Sequence, residues 1–130
     1  MQIILLVSAG GAVGALMRYA VSGVAYRILG PSFPWGTLAV NILGCFFIGI
    51  VWALVEGSSA SPASRTFILT GILGAFTTFS TFGIETINLF RGGEISLAIV
   101  NVLASNVGGI LAVVLGLMLV RFLTALGGGS

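Results

Sequence analysis

Four hydroxyls and two phenyl rings stand together at Thr77-Thr78-Phe79-Ser80-Thr81-Phe82, inside a long apolar run. Hydroxyl groups donate hydrogen bonds, and the edge of an aromatic ring carries partial positive charge. A lining of this kind offers an anion weak, repeated contacts with no fixed cation to trap it, which is what conduction requires. Phe79 and Phe82 stand three apart, on roughly one face of a helix. Packing bulk or lipid contact also fits the two rings, so both roles stay open on these residues alone.

Other polar groups lie at the same depth, where an unpaired one is costly and marks a contact, a cavity or a pathway. Asn41 follows Thr37 by one helical turn, and Asn101, Ser105 and Gly109 form a second stripe at spacings of four, with Asn106 beside it. Hydrogen bonds between helices would explain any one of these residues. Two stripes on separate helices point instead to a water- or ion-lined path. The β-branched pair Thr77-Thr78 is a poor helix former, and Gly71 and Gly74 precede it. Together they predict a break in the third span near mid-membrane, where freed amides and carbonyls could serve as ligands. Threonine hydroxyls could also bond to carbonyls within an intact helix. Arg18 and Glu85 are the two charges inside spans. Arg18 fits a side chain that snorkels to the interface; Glu85 fits an anchor or a buried partner to a polar group.

The elements that position these residues follow from composition. Of 130 residues 58% are hydrophobic and only 6% are charged, against about 25% charged in a soluble domain. The solvent is therefore a bilayer. Four apolar spans, near 3–29, 35–55, 66–90 and 95–120, lie between the charges, and a helical crossing needs about 20 residues. The expectation is an all-α protein with four transmembrane helices in one domain, residues 1–126. The ending Gly127-Gly128-Gly129-Ser130 resembles an appended linker. The first span is too long and too rich in glycine for a signal peptide. Short connections around Pro31 and Pro34, around Pro62, and at Gly92-Gly93 imply antiparallel neighbours.

Orientation should follow the arginine bias between the two sides. Arg65 and Arg121 fall on the side of the termini, Arg27 and Arg91 on the other. Two against two permits insertion both ways up. Gly10 and Gly14 have the spacing that lets two backbones approach closely, and ordinary helix packing accounts for most such glycines. A thin four-helix chain has little interior for polar groups, so self-association is expected. The single Cys45 is read as a small core filler. The chain has no histidine, lysine or aspartate, which removes histidine-based triads, His-rich metal sites and the phosphate-loop lysine. An enzyme is not expected.

Several motifs resemble one known family, the Fluc (CrcB) fluoride channels. They are Gly10-Gly11 through Gly14 to Arg18-Tyr19, Trp35-Gly36-Thr37 with Val40-Asn41 and Gly44, and Gly71-Ile72-Leu73-Gly74 running into the Thr/Phe cluster. The likeness extends from Gly10 to the fourth helix. It implies an antiparallel, dual-topology homodimer in the inner (plasma) membrane, with two narrow pores that each draw on both subunits. It implies Phe79 and Phe82 as phenyl groups along the fluoride path, Asn41 as a donor to the ion, and Ser105 on a polar track of the fourth helix. Thr37, Ser80, Thr81 and Glu85 would line or bound the path. Backbone carbonyls of Gly74 and Thr77 would hold a central structural sodium ion, with no organic cofactor. Gly109 departs from members that carry a second hydroxyl there. The expected partners are fluoride, membrane lipid and a second copy of the chain, not nucleic acid. The resulting expectation is passive export of fluoride down its gradient. The alternative is a small four-helix drug/proton antiporter, which usually wants an early membrane carboxylate, and the first two spans hold none before Glu56.

Overall fold

The computed structural model describes residues 1–56 and 58–127. Residues 128–130 of the expected linker lie outside the described residues, while Gly127 belongs to the last helix. Helix α1 spans Gln2–Leu29 and α2 spans Trp35–Glu56. The third span is built from α3 (Pro62–Arg65), a π-helical segment (Thr66–Leu73), α4 (Gly74–Phe76) and α5 (Phe79–Arg91). Helix α6 covers Ile95–Gly127. All four spans are long and apolar enough to cross a membrane. At 33 residues α6 measures about 50 Å, so it outruns a hydrocarbon core of about 30 Å. It ends seven residues beyond the fourth span read from sequence.

Local chemistry sets the ends. Helix α1 stops at Gly30, whose φ of 81° lies in the left-handed region that glycine adopts freely, and its N–H donates to Tyr26 O at 3.0 Å. Pro31 and Pro34 then hold the turn open, with the Phe33 ring buried against Trp35 at 4.8 Å. Ser61 caps α3 by accepting from the Ser64 N–H at 3.2 Å, and Pro62 occupies the first turn. Arg65 closes this loop by donating to the carbonyls of Val55 at 3.0 Å, Ser58 at 3.1 Å and Ala60 at 3.3 Å. One guanidinium thus satisfies carbonyls that the end of α2 and the turn leave free.

Close backbone approach holds the spans together, as expected where lipid removes the usual hydrophobic drive. A Cβ at Gly10 would lie 3.0 Å from Gly71 Cα, and one at Gly71 would lie 3.1 Å from Gly10 Cα. A Cβ at Gly14 would strike the Ile72 carbonyl oxygen. The Gly10/Gly14 pair therefore seats α1 on the third span of the same chain. Gly49 and Gly116 do the same between α2 and α6: a Cβ at Gly116 would come within 3.2 Å of Gly49 Cα. The contact with Gly10 and Gly14 falls on the π-helical segment, an element the sequence reading did not foresee. The wider π turn is rare and commonly found near functional sites; here it leads directly into α4 and the Thr77-Thr78 pair.

Gly14→Ala should lower stability by about 1–3 kcal/mol, the usual effect of overpacking a tight contact. Gly11→Ala, where a Cβ meets nothing within 4 Å, should be neutral or slightly stabilising through helix propensity. Thermal unfolding of the two variants in detergent checks the contrast, and equal midpoints would contradict this packing.

Candidate functional site

Thr77 and Thr78 leave the helical conformation. Thr77 has φ −78° and ψ 159°, and Thr78 has φ −148° and ψ 116°. Both are extended, and the helix begins again at Phe79. Two β-branched residues suit this geometry better than a helix. Thr78 then caps α5: its Oγ1 accepts from the Thr81 N–H at 3.3 Å and lies 2.9 Å from Thr81 Oγ1. The Thr77 N–H and hydroxyl both donate to Leu73 O, each at 3.2 Å.

Extended backbone within an apolar span needs partners for its N–H and C=O, and Asn41 supplies them for one full residue. Its Oδ1 accepts from the Thr78 N–H at 2.8 Å, and its Nδ2 donates to Thr78 O at 3.0 Å. The side-chain amide pairs with the peptide as a neighbouring strand would. Thr78 is 8% exposed, so the pair is shielded. One of the two Nδ2 hydrogens stays available for a further acceptor. Engaging the Thr78 N–H also takes it from Gly74 O, the acceptor four residues earlier that an unbroken helix would use. Gly74 itself is exposed on the surface of the single chain.

A cleft of about 280 Å³ opens beside this pair. It brings together Asn41, Phe79, Phe82 and Ser105, along with Gly74 and Thr77. The two rings lie 5.4 Å apart, centroid to centroid. Their surroundings differ: Phe82 is 8% exposed and Phe79 is 79% exposed. Gly44 permits the approach, since a Cβ there would strike Thr77 Cγ2. Cys45 Sγ would lie 3.3 Å from a Cβ at Gly109, so the thiol fills the space that a larger residue at 109 would take.

The other residues singled out from sequence lie elsewhere. Thr37 and Thr81 line a second cleft with Arg18 and Ser22, on the far side of Thr78, which borders both. Arg18 thus shares that cleft with Ser22, Thr37, Thr78 and Thr81. Glu85 lines a third cleft with Tyr26, Asn88 and Glu94. Its Oε1 accepts from the Tyr26 hydroxyl at 2.7 Å, tying α5 to α1. Ser80 is exposed and lines none of these three clefts. Asn101 is fully buried and donates through Nδ2 to Thr86 Oγ1 at 2.8 Å. Tyr26 and Thr86 were not foreseen. Their signal in the sequence was indirect: a buried carboxylate and a buried amide each need a partner, but neither names one.

The family model described as "CrcB-like protein, Camphor Resistance (CrcB)" matches residues 5–117. The chain belongs to this family. It is 49% identical over 119 residues to the fluoride-specific ion channel FluC of Agrobacterium fabrum, covering 91% of this chain and 95% of that protein. To the FluC of Magnetococcus marinus it is 48% identical over 118 residues, covering 90% and 96%. To that of Parabacteroides distasonis it is 46% identical over 110 residues, covering 85% and 86%. Similarity of this extent spans all four helices rather than one motif.

Replacing Asn41 by Leu would leave the shielded Thr78 N–H and C=O without their partners. The expected loss is about 2–6 kcal/mol, from about 1–3 kcal/mol for each of the two buried unsatisfied groups. Thermal unfolding in detergent measures it; a midpoint equal to that of the unaltered protein would contradict the role given to this pair.

Proposed function

We propose that this chain forms a passive, fluoride-selective channel through which the ion leaves the cytoplasm down its gradient. In a bacterial cell it is a multi-pass protein of the inner membrane. The observation that carries the reading is the first cleft, whose lining brings Phe79, Phe82, Asn41 and Ser105 together beside the extended Thr77-Thr78 pair. Fluoride needs donors and no acceptors. Phe79 and Phe82 offer polarised edges, Asn41 its remaining N–H, and Ser105 its hydroxyl. None carries a full charge, so the ion is held weakly and passes on. Thr37, Ser80, Thr81 and Glu85 belong to the approaches on either side. Fluoride enters acidified cells as neutral HF and is trapped as the anion, so a selective leak suffices to confer resistance. The drug/proton antiporter reading lacks an early carboxylate: Glu56 ends α2, and Glu85 is bonded to Tyr26.

The working unit in this proposal is an antiparallel homodimer of dual topology with two pores. Two observations support it. The arginines balance two against two across the membrane, and Gly74, Phe79, Ser80, Thr81 and Asn106 are exposed on the single chain although they lie within spans. A second copy would cover those groups. The third span, interrupted near mid-membrane, also suits a sodium ion. With the Thr78 N–H taken by Asn41, the carbonyl of exposed Gly74 loses its helical donor, and the Thr77 carbonyl lies in extended backbone. Carbonyl oxygens suit a hard cation. Gly74 and Thr77 of each subunit would hold it; it would supply fixed positive charge between the two interrupted helices and carry no flux.

Phe79→Ile and Phe82→Ile keep bulk and remove the polarised edge. Each should cut fluoride efflux from proteoliposomes, about tenfold or more on the scale of one lost charge-assisted contact, while the dimer elutes unchanged. Unaltered flux in both variants would return the rings to packing. A structure of the protein in lipid should show two chains of opposite orientation with cation density at the Gly74 and Thr77 carbonyls. A parallel pair, or carbonyls with no ion between them, would contradict the arrangement.

A further inference from the structure

Between α5 and α6 a groove of about 380 Å³ opens on the surface of the bundle. Ile87 and Phe90 line it from α5, Ile95, Ile99 and Leu103 from α6, and each is more than half exposed. Ala98, small and buried, lies between them. Thr86 is the one polar residue in the lining, and its hydroxyl is engaged: it donates to Phe82 O and accepts from Asn101 Nδ2, each at 2.8 Å. The lining side chains thus keep no donor for an occupant. Arg91 stands at one end, exposed, four residues after Ile87 and so one turn further along the same face. A cation at a helix C-terminus commonly bonds the last carbonyls, but here the turn has taken them. The Gly92, Gly93 and Glu94 N–H groups donate to Asn88 O, Phe90 O and Leu89 O at 2.9, 3.1 and 2.9 Å. Glu94, the carboxylate of the same turn, lines the cleft of Tyr26 and Glu85 instead. Arg65 spends its donors on three carbonyls of its own chain; those of Arg91 are left for a partner outside it.

We propose that this groove is a site for an anionic phospholipid, with one acyl chain between α5 and α6 and the phosphate at Arg91. The dimensions agree. From Ile95 to Leu103 the groove follows α6 for about 12 Å at the helical rise, and one leaflet of hydrocarbon is about 15 Å deep, half of a core of about 30 Å. The charge agrees as well. Arg91 ends the third span, where a headgroup lies, and a guanidinium matches phosphate oxygens two at a time. Basic pockets between helices at the membrane surface hold anionic headgroups in this way. A zwitterionic lipid offers the same phosphate but places a second cation beside Arg91, so the anionic class is preferred. A second copy of the chain suits the groove less well. In the antiparallel pair proposed above it would bring its own Arg65 and Arg121 to this face of the membrane, the same sign as Arg91.

The test is native mass spectrometry of the intact protein in detergent micelles that carry equal amounts of phosphatidylglycerol and phosphatidylcholine with identical chains. The unaltered protein should retain phosphatidylglycerol about fivefold over phosphatidylcholine, the scale of one arginine's attraction to an anionic lipid. Arg91→Gln should abolish that preference. Arg27→Gln removes the other arginine at the same membrane face and should keep it. Ile99→Trp fills the groove without touching the charge and should lower retention of both lipids. All three positions are exposed, so the variants retain the fold. Equal retention of the two lipids by the unaltered protein would overturn the site. So would equal loss of preference in Arg91→Gln and Arg27→Gln, which would show general surface charge, or unchanged retention in Ile99→Trp, which would place the lipid elsewhere. A structure in phosphatidylglycerol nanodiscs gives a second readout. Chain density along residues 95–103 with a headgroup at Arg91 upholds the site, and side chains of a second copy in the groove overturn it. Neither measurement involves fluoride, so a failure of the channel reading and a failure of the lipid site are told apart.

Discussion

The pairing of the Asn41 amide with both backbone groups of Thr78 is the interaction on which the rest depends. In hydrocarbon, a residue that leaves the helix must find partners for its N–H and C=O. An asparagine side chain is one of the few groups that supplies a donor and an acceptor in peptide geometry. Because that debt is met within the chain, Thr77 and Thr78 can stay extended. The capping hydroxyl of Thr78 then starts α5 and sets the rotation at which Phe79 and Phe82 emerge. Remove the amide and the cleft loses its floor.

Around that pair, two kinds of contact fix the bundle. Glycines bring backbones together: Gly10 and Gly14 against the π-helical segment, Gly44 against Thr77, and Gly49 against Gly116. Single polar ties then set register where helices bury few large apolar side chains against one another. Tyr26 donates to Glu85 between α1 and α5, and Asn101 donates to Thr86 between α6 and α5. Each tie ends on α5, the helix that carries both rings. Such bonds are individually modest, about 1 kcal/mol in membrane bundles. Their value here is geometric, since each allows one rotation of α5 and excludes others.

Much of this was legible in the residues. Four spans follow from the length of the apolar runs, and the β-branched pair Thr77-Thr78 has extended dihedrals. The partners of that pair were not legible. Asn41 stood out as a polar group at depth, but its role as a clamp needs the fold that sets α2 beside Thr78, 37 residues away in sequence. The Tyr26–Glu85 bond spans 59 residues and no spacing rule reaches it. Thr37 and Asn41, one turn apart on α2, looked like one stripe, yet they border different clefts because Thr78 stands between them. The π-helical segment was also hidden: nothing in Thr66–Leu73 distinguishes it from an ordinary apolar helix, and its geometry accompanies the contact with Gly10 and Gly14. Asn101 and Ser105 did form one stripe, but only one of them reaches the cleft.

The central claim is that a line of uncharged donors conducts fluoride with no coupled ion. The most direct measurement follows fluoride with an electrode outside proteoliposomes loaded with potassium fluoride. Uncoupled conduction moves charge, so efflux should wait for valinomycin to carry the compensating potassium, then run to completion and stay unchanged when the proton gradient is collapsed. Chloride loaded in place of fluoride should remain inside. Efflux that proceeds without valinomycin, or that stops when the proton gradient is removed, would show coupling and contradict the account.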